Sequence, residues 1–193
     1  IRRQRQMCIR DSPHEREGIT ELIAAVSGSE SNDTGSFEIK LRSTVKEGSG
    51  RTSYIEGFSR VIDYMDVSED DIEKLFEKIK SVSSSDFVIV DMNSTLDKLS
   101  NKVFELADRI VIVEKDNEIF RRKFNIISSY PPIQDVWKKV VTIDNFAHGS
   151  YTDKNNVHAP NIGYISDYGT ISMEDLIRET LRNGSISIDN IIG

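Results

Sequence analysis

The chain has 193 residues, 37% hydrophobic and 30% charged, with a formal net charge of −7 at pH 7; this is the composition of a globular protein with one sizeable core, and it argues against non-specific nucleic-acid binding. No apolar run approaches ~20 residues, and the N-terminus has no apolar stretch of signal-peptide type, so neither a transmembrane helix nor a secretory leader is expected. Cys8 is the one cysteine, which excludes an intrachain disulfide and Cys/His zinc spacing, and a reducing, cytoplasmic setting is expected.

Residues 1–12, "IRRQRQMCIRDS", set Arg2, Arg3, Arg5 and Arg10 against Asp11. Such an arm reads either as a tether or as foreign to the protein. "RQMCIRDS" is similar to a peptide that arises when adaptor sequence is translated, so residues 1–12 are set aside and 13–193 are read as a single partial domain. Ile19 to Val26 suggest a short amphipathic helix, stopped by the Ser/Gly-rich "SGSESNDTGS". Phe37-Glu38-Ile39-Lys40-Leu41 alternates and predicts a half-wet strand. "KEGSG" predicts a turn, and Tyr54-Ile55 a second short strand before Gly57.

The strongest helix signal follows. Ser68 stands at an N-cap position with Asp71 three residues on, Glu69 to Asp71 load the first turn with negative charge, and Ile72, Leu75, Phe76, Ile79 and Val82 recur on one stripe. In "SSDFVIVDMNST", Phe87 to Val90 form a continuous apolar run that predicts a buried strand closed by Asp91. Leu96, Leu99, Val103 and Leu106 mark a helix; Ile110 to Val113 a second buried strand; Ile119, Phe120, Phe124 and Ile127 a helix ended before Pro131-Pro132. Val140 to Ile143 and Asn161 to Ile165 predict two more strands, and Ser172 caps a last helix. The polar loop 147–161 is expected to be mobile. This alternation predicts an α/β fold, a mostly parallel sheet with helices on both faces.

Ligands of such sheets sit beyond the carboxyl ends of the strands. The candidates there are Asp91 with Asn93, Glu114 with Asp116, Asp144 with Asn145, and Ser166 with Asp167. An acid there suits Mg²⁺ held through water, and an amide suits a base edge; polar residues also crowd strand ends simply because the chain leaves the core. His14, His148 and His158 lie in polar, loop-like context without a partner at ligand spacing. Trp137 reads as a core aromatic and Arg121-Arg122-Lys123 as a basic helix face. A P-loop needs Gly-x-x-x-x-Gly-Lys-Ser/Thr, and the chain has none.

The run from "YIEGFSRVIDYMDVSEDDIEKLFEKIKS" through "SDFVIVD" and "ADRIVIVEKD", with "VVTIDN" and "NIGYISDY" beyond, resembles MinD/ParA-type P-loop ATPases, in particular the CpaE-like pilus-assembly and septum-site branch, over roughly residues 18–182. The resemblance implies ATP and Mg²⁺ as cofactors of an intact parent. Asp91 would steady Mg²⁺ through water, residues 93–97, with Asn93, would occupy the phosphate-sensing switch, Asn145 or Asp144 would meet the base, and Asp167 would lie near it. It also implies a homodimer or protein partner. "DMNST" departs by lacking the switch glycine, Ser166 stands where a proline is usual, and the strand, P-loop, helix and strand that open the family's fold are missing. The expectation is thus a fragment of an ATP-binding domain that positions division, partition or pilus machinery and is catalytically incompetent as given. The alternatives are a pseudo-ATPase interaction domain and a receiver-like phosphoacceptor centred on Asp91.

Overall fold

The computed structural model describes residues 18–28, 34–48, 53–92, 96–115, 118–147, 159–167, 169, 172, 175–176, 178–179 and 182. Two contact-dense units divide the chain, one ending at Leu106 and the other beginning at Ala107.

In the first unit, α1 (Ile19–Ser27), α2 (Thr34–Thr44), α4 (Glu69–Val82) and α5 (Lys98–Leu106) surround one core. Between α2 and α4 lie a hairpin of β1 (Lys46–Glu47) and β2 (Ser53–Tyr54), and the short helix α3 (Val61–Met65). Leu22, Val26, Phe37, Leu41, Ile72 and Leu75 are buried together, with Leu99, Val103 and Leu106 packed against them. Ser68 caps α4 as the sequence predicts. Its hydroxyl accepts from Asp71 N–H at 3.1 Å, and the Asp71 carboxylate accepts from Ser68 N–H at 3.0 Å. Ser27, closing α1, donates to the same carboxylate. Gly18 lies against the chain after β2, where Ile19 N–H donates to Glu56 O at 2.8 Å.

Residues 37–41 and 87–90 differ from expectation, and residues 110–114 form the expected strand but with Val111 and Val113 exposed, 39% and 49%, so it is not the buried strand its apolar run predicts. Residues 37–41 belong to helix α2, not to a strand. A five-residue alternation also places Phe37 and Leu41 at i and i+4, and both are buried on the helix while Ile39 is 73% exposed. Residues 87–90 are not a buried strand. Among the described residues they have no ladder partner, and Phe87, Val88, Ile89 and Val90 are exposed, Ile89 by 89%. Apolar composition favours burial, but a strand exists only through its hydrogen-bonded neighbour.

The second unit is built on the parallel sheet β3-β4-β5, in that order: β3 (Ile110–Glu114), β4 (Val140–Ala147) and β5 (Asn161–Ser166). α6 (Glu118–Ser128), α7 (Pro131–Asp135) and a 3₁₀ turn (Trp137–Lys139) connect β3 to β4. Pro131-Pro132 does end α6 as predicted, and it also starts α7, since a proline needs no N–H in the first turn of a helix. Phe124 packs edge-on against Trp137 at 5.8 Å, which makes Trp137 the structural aromatic the sequence suggests. Ser172 accepts from Asp175 N–H at 3.1 Å, in keeping with the predicted cap. Most of the loop 147–161, the run 1–17 and Asn93 lie outside the described residues.

Candidate functional site

Parallel strands end on the same side, so β3, β4 and β5 bring their terminal polar residues to one rim. Glu114 is in register with Asp144, Asp144 with Tyr164, and Asn145 with Ile165. An irregularity between Asn145 and Ala147 ends the regular pairing just where the polar residues begin. Glu114 is buried, while Asp144 and Asn145 are half-buried. Glu114, Lys115, Asp144, Asn145, Tyr164 and Asp167 all take part in polar, charged or ring interactions. Asp167 accepts from Gly169 N–H at 2.9 Å, and Gly169 has φ +66°, so this carboxylate closes the turn that leaves β5. Thr142, in the sheet interior, is fully buried; its N–H donates to Pro160 O at 2.9 Å, and its buried hydroxyl has no hydrogen-bond partner among the described residues.

Of the residues singled out in the sequence, Asn145 and Asp167 therefore come together on one rim, with Glu114, Asp144 and Ser166. Asp91 is an exposed residue of the first unit, following the exposed run 87–90. Asn93 lies outside the described residues, as does Asp116.

Among the described residues the rim offers carboxylates, one amide, one phenol and Lys115. An amide beside a strand end suits the donor–acceptor edge of a base. A triphosphate needs converging N–H donors and a close cation, and a carboxylate-rich edge repels it. Among the described residues no group of three or more His, Cys, Asp or Glu side chains is placed to hold a metal ion. The described residues of the rim thus offer an amide of the kind a base edge takes and no cluster of metal ligands, and no chemical step is assigned to them.

A second feature, in the first unit, escapes sequence reasoning. A groove of about 600 Å³ opens between α3, the start of α4 and the start of α5, lined by Tyr64, Met65, Ser68, Asp70, Asp97 and Leu99 among others. Tyr64 donates its hydroxyl to Asp97, and Asp97, just before α5, also accepts from Ser100 N–H at 2.9 Å. Burial and the neighbouring Asp97 carboxylate push the Tyr64 phenol up to about 12. Of the run "VIDYMD", Tyr64 and Met65 line the groove, while Val61, Ile62 and Met65 share a helical face that no core stripe requires.

No protein-family model matches the chain, and no curated protein matches it. Among solved structures it is similar to a ParA family ATPase from Chlorobium tepidum TLS, with a TM-score of 0.59 and 19% sequence identity, over 91% of this chain and 68% of that one. Among the described residues no helix is long and apolar enough to cross a membrane. The likeness and the parallel β3-β4-β5 sheet together establish an α/β fold with a parallel sheet, as the alternation of elements predicts, and that fold is like the ParA family ATPase's.

Proposed function

We propose that this chain is a non-catalytic nucleotide-fold domain of MinD/ParA type, which meets a nucleotide through its base at Asn145 and serves machinery that positions division, partition or pilus components. The observation that carries this reading is the carboxyl rim of the parallel sheet, where Asn145 stands between Glu114 and Asp167 in a fold similar to a ParA family ATPase. The CpaE-like branch is proposed on the motifs "SDFVIVD", "ADRIVIVEKD" and "NIGYISDY". The acidic rim favours contact with the base over phosphate chemistry at these residues, and the pseudo-ATPase reading is proposed on that ground.

Two measurements test this. Fluorescent ATP and ADP analogues should bind with similar, weak affinity with or without Mg²⁺, because the base and not the phosphates is held. Asn145→Leu should weaken both at least about tenfold, the loss expected when a buried polar contact goes unpaired. Phosphate release from ATP should not exceed the buffer rate. Mg²⁺-dependent phosphate release, or binding untouched by Asn145→Leu, would refute the reading.

A further inference from the structure

Helix α3 carries its polar side inward and its apolar side outward. Asp63 is bound by Arg60, and Tyr64 is bound by Asp97 and packs edge-on against Phe58 at 5.4 Å. These contacts hold Val61, Ile62 and Met65 toward solvent, 70%, 54% and 71% exposed. An apolar stripe kept outward by a set of polar anchors is a surface to be covered. Its surroundings are acidic: from Val61 to Asp71 the chain carries Asp63, Asp66, Glu69, Asp70 and Asp71 and no Lys or Arg. Asp66, Glu69 and Asp70 are exposed, while Lys98 is the cation on the far wall of the groove.

Helix α6 has the matching character. Ile119 and Ile126 lie on its outward face, 69% and 67% exposed, with Arg122 and Lys123 between them. These four positions fall within ~100° of arc at 3.6 residues per turn. Phe124 faces the core against Trp137, which fixes which side of α6 looks out.

We propose that α6 of one molecule docks on the outward face of α3 and the acidic start of α4 of a second copy, with Ile119 and Ile126 against Val61, Ile62 and Met65, and Arg122 and Lys123 facing Asp66, Glu69 and Asp70. Arg122 pairs with Glu118, and Asp70 with Lys74, in exposed i,i+4 bridges that exchange at little cost. Because donor and acceptor are different surfaces, the contact is heterologous and leaves one of each open on every dimer. It goes beyond the nucleotide reading and needs no nucleotide.

Sedimentation of the full chain tests it. Its mass should rise with concentration above the monomer's 21.9 kDa and fall back at ~0.5 M salt. Arg122→Glu/Lys123→Glu (donor lost) and Asp66→Lys/Glu69→Lys (acceptor lost) should each associate at least about tenfold more weakly. Mixed together, the two variants should form a 1:1 dimer, because each keeps the surface the other lacks. Ile126→Ser and Ile62→Ser provide a second pair should the charge variants misfold. A wild-type chain that stays monomeric at every concentration overturns the proposal, as does a mixture of variants that fails to associate while the wild type does.

Discussion

Tyr64 and Asp97 stand 33 residues apart in the chain and are joined by a hydrogen bond that locks α3 against the start of α5. The same carboxylate caps α5 through Ser100 N–H, so one acid orients two helices. Replacing Tyr64 by Phe takes one hydrogen-bond donor from this carboxylate. The expected loss is about 1–2 kcal/mol in urea unfolding, at the upper end for a bond to a charged acceptor.

That bond also sets a high-pH limit. The Tyr64 phenol titrates near 10.0 when free and is held at about 12 in the fold. Between those values the unfolded chain has lost a proton that the folded chain keeps, so stability falls as pH rises. Unfolding midpoints measured across that window should decline in the wild type and decline less in Tyr64→Phe. Equal slopes would remove Tyr64 as the cause.

Asp71 sets the corresponding acid limit. Burial raises its pKa, but the hydroxyls of Ser27 and Ser68, the Ser68 N–H and Lys74 outweigh that and hold it below its ordinary value. The stabilisation is present above ordinary carboxylate pH and is lost as pH falls through the lowered value. Ser68→Ala should cost about 1 kcal/mol near neutral pH through the lost cap. It should also flatten the acid limb of a stability-against-pH curve.

Gly18 is predicted to be intolerant of a side chain. A Cβ there would lie 2.9 Å from Glu56 O and 3.0 Å from Gly57 O, both backbone atoms. Gly18→Ala must push α1 from the chain after β2 and strain the Ile19–Glu56 bond, at about 1–3 kcal/mol. Unfolding curves check this; a change within error would show that the approach relaxes freely.

Apolar residues of the first unit should divide sharply. Leu22→Ala removes a fully buried side chain and should cost about 2–5 kcal/mol. Ile89→Lys changes a side chain that is 89% exposed and should stay within about 0.5 kcal/mol, while lowering the binding of a dye that reports apolar surface. An Ile89→Lys variant destabilised like Leu22→Ala would mean that the 87–90 run is covered in solution.

That contrast marks what the sequence makes legible. Ser68 and Asp71 announce α4 because a capping box is local chemistry, complete within four residues. Val111 and Val141 announce their strands because a continuous apolar run in an alternating chain has few other solutions, and the rim that holds Asn145 follows from strand direction alone. Ile39 misleads because alternation over five residues serves a helix as well as a strand, and the choice falls to the packing of Phe37 and Leu41 on α1 and α4. Val88 misleads because pairing is a property of two segments, and one segment cannot disclose whether the other is present. The Tyr64–Asp97 groove is hidden for a related reason, since no spacing rule links positions so far apart.

Strand β4 has a consequence for how the second unit opens. Among the described strands it alone is hydrogen-bonded on both sides, and Val140, Val141 and Thr142 are almost wholly enclosed. Its amides should be the slowest of the unit to exchange with deuterium, releasing only when the whole unit unfolds, while the outer edges of β3 and β5 exchange through small local fluctuations. Asn145 sits on that slow strand, so the amide side chain of the described rim is carried by the most persistent of the unit's described strands.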